Sequence, residues 1–357
     1  MRPGKLCGLA VVLALAATAC GGSGGGAEGT DQGASGRGGS GFPVQIADCK
    51  GARTTFRSAP HKIVTSNAAA LEILLRLGAG DRVIGTGFPP GKGALPGALD
   101  AQARKIPVLG KHIIPKEKLL GSGADLYIDS FASMNTMGGA GDAPTAEEFR
   151  AAGIGHIYLA STACAPMTKK PQRDLSGVEG DIRRLGAVTG TSRRAGELVA
   201  GMRAKLAAVH KAVGEVPLDK RPTYFYFDYD AGTKQPVAVC RKQVANAVIG
   251  QAGARNVFDD CDADFKPVSW EDVVSKNPDW IQLAVHNRGD AAANAKAYDE
   301  AAAFLKSFPA TKGLTAVRRG NFLRIGAERT TIAGVGNADT VEEIAHTLHP
   351  ARFKAAR

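Results

Sequence analysis

Nothing in this chain assembles a nucleophile, a base and an oxyanion site. There is no Gly-x-Ser-x-Gly elbow set between a strand and a helix, and no His-Glu-x-x-His pair. Gly91-Lys92 has Thr86 where a phosphate-binding loop needs its first Gly and no Ser/Thr after the Lys. Gly78-Ala79-Gly80 follows a helical run and precedes a strand, the reverse of what phosphate binding at a helix N-terminus needs; it reads as a helix stop. These absences argue against an enzyme. No Cys-x-x-Cys or Cys/His spacing suits zinc, and the seven histidines are scattered, so no resident metal or cofactor is expected. No dense Lys/Arg run with interleaved aromatics occurs, which disfavours nucleic acid as a partner. The one uninterrupted apolar run, residues 6–17, is too short to remain as a membrane span.

What is present begins with an address. Arg2 and Lys5 precede that apolar run, and Ala17-Thr18-Ala19-Cys20 follows it, small residues ahead of a cysteine. Residues 1–19 therefore read as a signal peptide with Cys20 as the lipidation site; Ala17-x-Ala19 also permits ordinary cleavage before Cys20. Residues 21–41 are nearly all Gly, Ser, Ala and scattered charge, a flexible tether suited to hanging a domain from a lipid-anchored Cys20. Loss of Arg2 and Lys5 lowers the formal charge from +11 to +9, a basic balance that fits anionic lipid or an anionic small ligand. Four cysteines remain in an oxidising compartment, so two disulfides are expected. Three pairings are possible; one bridge within each half gives Cys49–Cys164 and Cys240–Cys261.

From residue 58 onward, apolar strands alternate with helical runs, which predicts an α/β fold with mainly parallel sheets. The first half, residues 42–174, contains strands at 62–67, 83–87, 125–130 and 156–161. The second, residues 215–357, contains strands at 223–228, 280–285 and 321–325. Between them, residues 175–214 carry apolar positions every three to four residues, the pattern of one long amphipathic helix. Two Rossmann-like lobes joined by such a helix would leave a ligand cleft between them, lined by strand-end loops.

A partial internal repeat sharpens this. Residues 115–128 (PKEKLLGSGADLYI) and 268–283 (VSWEDVVSKNPDWIQL) each read as a short helix with an early Glu, then a loop ending in Asp, then a strand. Asp125 lies eight positions after Glu117, and Asp279 eight after Glu271. An acid in a first helical turn is ordinary. Two at matched positions suggest equivalent lobes that each present a carboxylate.

With residues 59–87 (APHKIVTSNAAALEILLRLGAGDRVIGTG), 268–283 and 304–325 (FLKSFPATKGLTAVRRGNFLRI), the chain resembles the solute-binding proteins of iron–siderophore and cobalamin ABC importers from about residue 43 to 350. That resemblance implies two lobes bridged by one long helix, with small opening motions. It implies a monomer that hands its cargo to a membrane permease driven by an ATPase, with no covalent chemistry. Glu117 and Glu271 would dock onto permease arginines. Ligand-facing residues would be Lys111, His112, Phe131, Tyr229, Phe265, Arg288 and Arg329. In cobalamin-binding members the positions matching Lys111 and Phe265 are aromatic, and only Phe265 is aromatic here. An Arg or two with Phe or Tyr suits an anionic ferric siderophore. Haem or cobalamin is the alternative in the same class; a surface enzyme or a cell-wall interaction protein are the others.

Overall fold

The computed structural model describes residues 41–131 and 143–354. The expected signal peptide, the expected lipidation site Cys20 and the expected tether up to residue 40 lie outside those residues. A short hairpin, β1 (Val44–Ala47) with β2 (Arg53–Phe56), opens the described chain. The first lobe follows as β3 (Ile63–Thr65), α1 (Ala68–Leu77), β4 (Val83–Thr86), α2 (Gly97–Ala103), α3 (Lys116–Leu120), β5 (Leu126–Asp129), α4 (Ala146–Ala151), β6 (Gly155–Tyr158) and α5 (Ala160–Ala163). Its four sheet strands are parallel in the order β4-β3-β5-β6. Buried on both faces, strands such as Leu126-Tyr127-Ile128 read as apolar runs rather than alternating ones.

Local chemistry sets the ends of α1. The Asn67 Oδ1 accepts the Ala70 N–H at 3.0 Å, and Gly78 closes the helix at φ +78°, where a Cβ would be strained. Six residues of this ten-residue helix are buried, between the sheet and the helices α2, α6 (Ser176–Val188) and α7 (Ser192–Val213).

The region expected to form one helix over 175–214 forms two, α6 (Ser176–Val188) and α7 (Ser192–Val213). Gly190 at φ +71° turns the chain, and the Thr191 N–H returns to the Gly186 carbonyl at 2.7 Å. The two helices then pack side by side. A Cβ at Gly186 would overlap Ala195, and Arg203 grips the buried Glu179 through bonds of 2.6 to 3.0 Å. Periodicity runs through the break because both helices bury the same kind of face. The 22-residue α7 is the long helix that links the lobes.

The second lobe comprises β7 (Thr223–Asp228), β8 (Val237–Val239), α8 (Val244–Gln251), β9 (Arg255–Asn256), β10 (Phe265–Pro267), α9 (Trp270–Lys276), β11 (Trp280–Ala284), α10 (Ala291–Ser307), α11 (Thr315–Arg319), β12 (Phe322–Arg324), α12 (Ala327–Thr331), α13 (Asn337–Leu348) and α14 (Pro350–Lys354). Its parallel order, β9-β7-β11-β12, repeats that of the first lobe strand for strand. β8 and β10 form a separate antiparallel ribbon.

The matched aspartates explain part of the repeat. Asp125 accepts the N–H groups of His61 and Lys62 at 2.7 and 3.0 Å, fixing the start of β3 beside β5. Asp279 accepts the Thr223 N–H and hydroxyl at 2.9 and 2.7 Å, fixing the start of β7 beside β11. Each pins a parallel strand pair, the job that one position in a repeated unit would keep.

One apolar cluster runs from Leu71, Leu74 and Leu126 through Ile182, Val199 and Leu206 to Tyr224, Val248 and Ile344, so both lobes share a core through the helical pair. A second cluster, with Phe225, Phe227, Trp270, Leu283 and Leu305, belongs to the second lobe alone. Disulfides join Cys49 to Cys164 and Cys240 to Cys261, one in each half.

Candidate functional site

In open parallel sheets ligands bind beyond the carboxyl ends of the strands, where the chain order reverses. Here those points are β3/β5 in the first lobe and β7/β11 in the second. Both open onto the cleft between the lobes.

On the first-lobe side backbone bonds hold much of the rim, and the Asp129 carboxylate accepts the Phe131 N–H at 2.7 Å. The Gly87 N–H donates to Thr65 at 2.9 Å, Phe88 to His112 at 3.2 Å and Ala68 to Phe88 at 3.0 Å. A Cβ at Gly87 would meet the carbonyls of Ser66 and His112, so only glycine fits. Directly after it Phe88 sits at φ +34°, a left-handed conformation that costs a bulky residue energy. Its ring meets His112 edge-on at 5.4 Å and Phe131 at 5.3 Å. Two of the expected residues, His112 and Phe131, are thus drawn together by a third, Phe88. Lys111 stands exposed next to His112.

The second-lobe side is charged. Asp228, at the end of β7, accepts the N–H groups of Asp230 and Ala231 at 3.1 and 3.0 Å. Asp230 accepts the His286 N–H at 2.6 Å and pairs with Arg288. Glu328 accepts the Asn287 N–H at 3.1 Å. The His286 Nε2 lies 3.7 Å from Asp228, whose carboxylate pulls the imidazole pKa above its ordinary value against the opposing effect of partial burial. Asp228, Asp230 and His286 present ligand atoms within 4.8 Å of one another. A cation would have to displace Arg288 from Asp230 and break into a network whose carboxylates already accept backbone N–H groups.

The other expected ligand residues take different surroundings. Tyr229 rests against Phe227 and Phe304, 6.2 and 6.4 Å away, leaning on the second-lobe core. Phe265 is paired across the ribbon with Val239 and is 39% exposed. The Arg329 guanidinium is bound to Glu343 of α13 at 2.6 Å. Glu117 and Glu271 are both exposed in the first turns of α3 and α9, and among the described residues neither enters an ion pair. Ser269 and Asp272 close a capping box around the start of α9.

Among the described residues the lobes touch at several places, of which three carry hydrogen bonds near the cleft or the connecting segment. At the cleft mouth the Lys92 N–H donates to Gly289 at 3.1 Å, and Gly91 lies so close to Asn287 that a Cβ would fall on its amide. Near α12 the Ala333 N–H meets the Thr162 hydroxyl at 3.3 Å. Between them the Gln172 Nε2 bridges the carbonyls of Ser161 and Lys242 at 2.7 and 2.6 Å, tying one lobe to the other in the connecting segment.

Sequence reading missed Phe88, Asn67, Ser130, Asp228 and Asp230. Phe88 carried a signal, being the lone aromatic residue of a Gly/Pro-rich loop; the others are ordinary strand-end residues whose importance comes from placement.

Residues 63–328 match the family described as Periplasmic binding protein. The chain belongs to that family. It is therefore a binding protein of ABC importers and not an enzyme, and it works outside the cytoplasm with a permease and an ATPase. No helix of the described residues is long and apolar enough to cross a membrane. Among relatives, the ABC transporter substrate-binding lipoprotein YvrC of Bacillus subtilis is 22% identical over 88% of both chains. A cobalamin-binding protein of Halobacterium salinarum is 26% identical over 71% of this chain and 62% of its own. Among solved structures, one from the ABC-type Fe3+-hydroxamate transport system of Saccharomonospora viridis superposes with a TM-score of 0.68 at 26% identity, covering 86% of this chain and 99% of that one.

Proposed function

We propose that the protein captures an anionic ferric siderophore and delivers it to its permease. The observation that carries this reading is the division of labour across the cleft. Phe88, His112 and Phe131 offer aromatic surface for the apolar parts of a chelate, while Arg288 and His286 offer cationic hydrogen-bond donors on the opposite wall. Lys111 at the rim adds a positive charge. The similarity to a protein of a ferric hydroxamate system supports the same cargo class.

Glu117 and Glu271 dock onto the permease, one from each lobe. Their support is matched placement, exposure and freedom from ion pairs among the described residues; exposed charge pairs steer association and fix orientation without slowing release. Cys20 carries the lipid anchor, the tether sets the reach, and the protein acts as a monomer.

Native mass spectrometry of the unit from Ser40 to Arg357 decides the cargo, with apo and ferric siderophores, haem and cobalamin offered in parallel. One adduct seen only with a ferric siderophore is expected. An adduct with cobalamin, the named ligand of one relative, would move the cargo to that class.

A further inference from the structure

Two buried hydrogen-bonding groups at the first-lobe switch point have no partner among the described residues: the Asn67 Nδ2 and the Ser130 Oγ. Asn67 is 1% exposed and Ser130 2%. The orientation of the Asn67 amide is fixed by its own helix, because Oδ1 must accept the Ala70 N–H to cap α1, leaving Nδ2 as the free donor. Ser130 is equally constrained, since its backbone N–H is held by the Ser66 hydroxyl at 3.0 Å while its own hydroxyl is left over.

The two groups belong to one place. The Ser66 N–H bonds the Ile128 carbonyl at 2.9 Å, so the ends of β3 and β5 are joined directly, and Asn67 and Ser130 lie within two residues of that bond. The residue after Asn67 donates to Phe88, and the residue after Ser130 is Phe131, whose ring meets Phe88. The first turn of α1 also faces the other lobe: a Cβ at Gly334 would come to 3.4 Å from that of Ala69. Buried polar groups are rarely left unpaired without a functional reason.

We infer that Asn67 and Ser130 form an acceptor-recognising subsite beneath the Phe88–His112–Phe131 aromatic rim. The subsite takes a carbonyl, carboxylate or hydroxamate oxygen of the ligand, with Asn67 Nδ2 and the Ser130 hydroxyl as donors and the positive end of α1 behind them. This inference rests on the cleft being the ligand site and deepens it by naming the ligand atom that enters first-lobe ground. Both donors are buried and, among the described residues, unsatisfied. An acceptor oxygen that reaches them satisfies both, so the subsite rewards closure only around a ligand that carries one.

Asn67→Asp and Ser130→Ala test it in the Ser40–Arg357 unit. Aspartate caps α1 as well as asparagine but supplies no donor; alanine removes the hydroxyl without changing shape. The probes are ferric citrate, ferrioxamine B, haemin and cyanocobalamin, all of which carry acceptor oxygens. For whichever probe the wild type binds, Asn67→Asp is expected to weaken binding tenfold or more and Ser130→Ala several-fold. The unliganded Ser130→Ala protein is expected to melt no lower than wild type, because removing an unpaired buried hydroxyl relieves a desolvation penalty. Unchanged affinity in both variants overturns the subsite, as does a Ser130→Ala protein that melts several degrees lower, which would reveal an internal partner. Binding of cyanocobalamin alone would sink the ferric-siderophore reading while leaving these two variants to decide the subsite.

Discussion

The two lobes share one wiring and finish it differently. At the β3/β5 point of the first lobe, backbone bonds are joined by the Ser66 hydroxyl on the Ser130 N–H and the Asp129 carboxylate on the Phe131 N–H, while the rim side chains Asn67, Phe88, Ser130 and Phe131 are neutral. At the β7/β11 point of the second, side chains hold the loops: Asp228, Asp230 and Glu328 each accept backbone N–H groups of neighbouring turns. A side chain committed to its own backbone is poorly free to bind a ligand. The first lobe therefore offers mainly neutral aromatic surface and donors, and the second a charged wall whose cations are paired with aspartates. Fold symmetry does not make the two halves of a site equivalent.

The largest test treats the lobes as equals on their outer faces. Replacing both Glu117 and Glu271 by Ala is expected to abolish ligand uptake by cells while leaving affinity of the purified protein unchanged. Each single variant should keep partial uptake if the two docking points are equivalent. Full uptake by the double variant would remove the docking role.

The disulfides separate the lobes by stability. Cys49–Cys164 closes 115 residues of sequence and Cys240–Cys261 only 21. In the chain-entropy account the longer loop is worth about 4.8 kcal/mol and the shorter about 3.3. Paired Cys→Ser variants should therefore lose stability in that order in denaturant titrations, by a difference of about 1.5 kcal/mol. Equal losses would show that native-state contacts outweigh loop length.

Much of this was legible beforehand, and the reasons are local. Ala68–Leu77 was readable because an Asn cap, a 3.6-residue apolar period and a Gly stop agree on the same bounds. Thr223–Asp228 was readable from its run of aromatics. The break at Gly190 was not, since periodicity carries across a turn whose flanking helices pack on one another. The front half of α10, AAANAKA, lacks an apolar stripe and was missed for that reason. In the site, Lys111, His112 and Phe131 were accessible as strand-end residues. The commitment of Arg329 to Glu343 was not, because Glu343 comes from α13 and no local pattern announces it. Unpaired groups such as the Asn67 Nδ2 are a property of three-dimensional bookkeeping and leave no trace in sequence.

Contact between the lobes can be broken at one residue. Gly91→Val places a branched side chain where the Asn287 amide now lies. The cleft mouth should then stay open, with a larger radius of gyration by X-ray scattering and roughly tenfold weaker ligand binding, about 1.4 kcal/mol. Because Gly91 is half-buried in a loop away from the two apolar clusters, the melting temperature should move less than the affinity. Unchanged scattering and affinity would mean that this contact follows closure rather than supporting it.

The smallest expected effect belongs to His286, whose pKa is raised by Asp228. The sign follows from linkage. A histidine that holds its proton more tightly when folded stabilises the protein fully below its unfolded value of about 6.5, and that contribution is lost as pH rises through the folded value. His286→Gln should thus cost stability near pH 5.5 and little at pH 9. The side chain is 56% exposed, so the difference should stay below about 1 kcal/mol. Binding should follow the same direction: an anionic chelate should bind wild type better at acid pH, and the substitution should flatten that slope. A slope that survives His286→Gln would place the titrating group elsewhere, and the charged wall of the second lobe would then act through Arg288 alone.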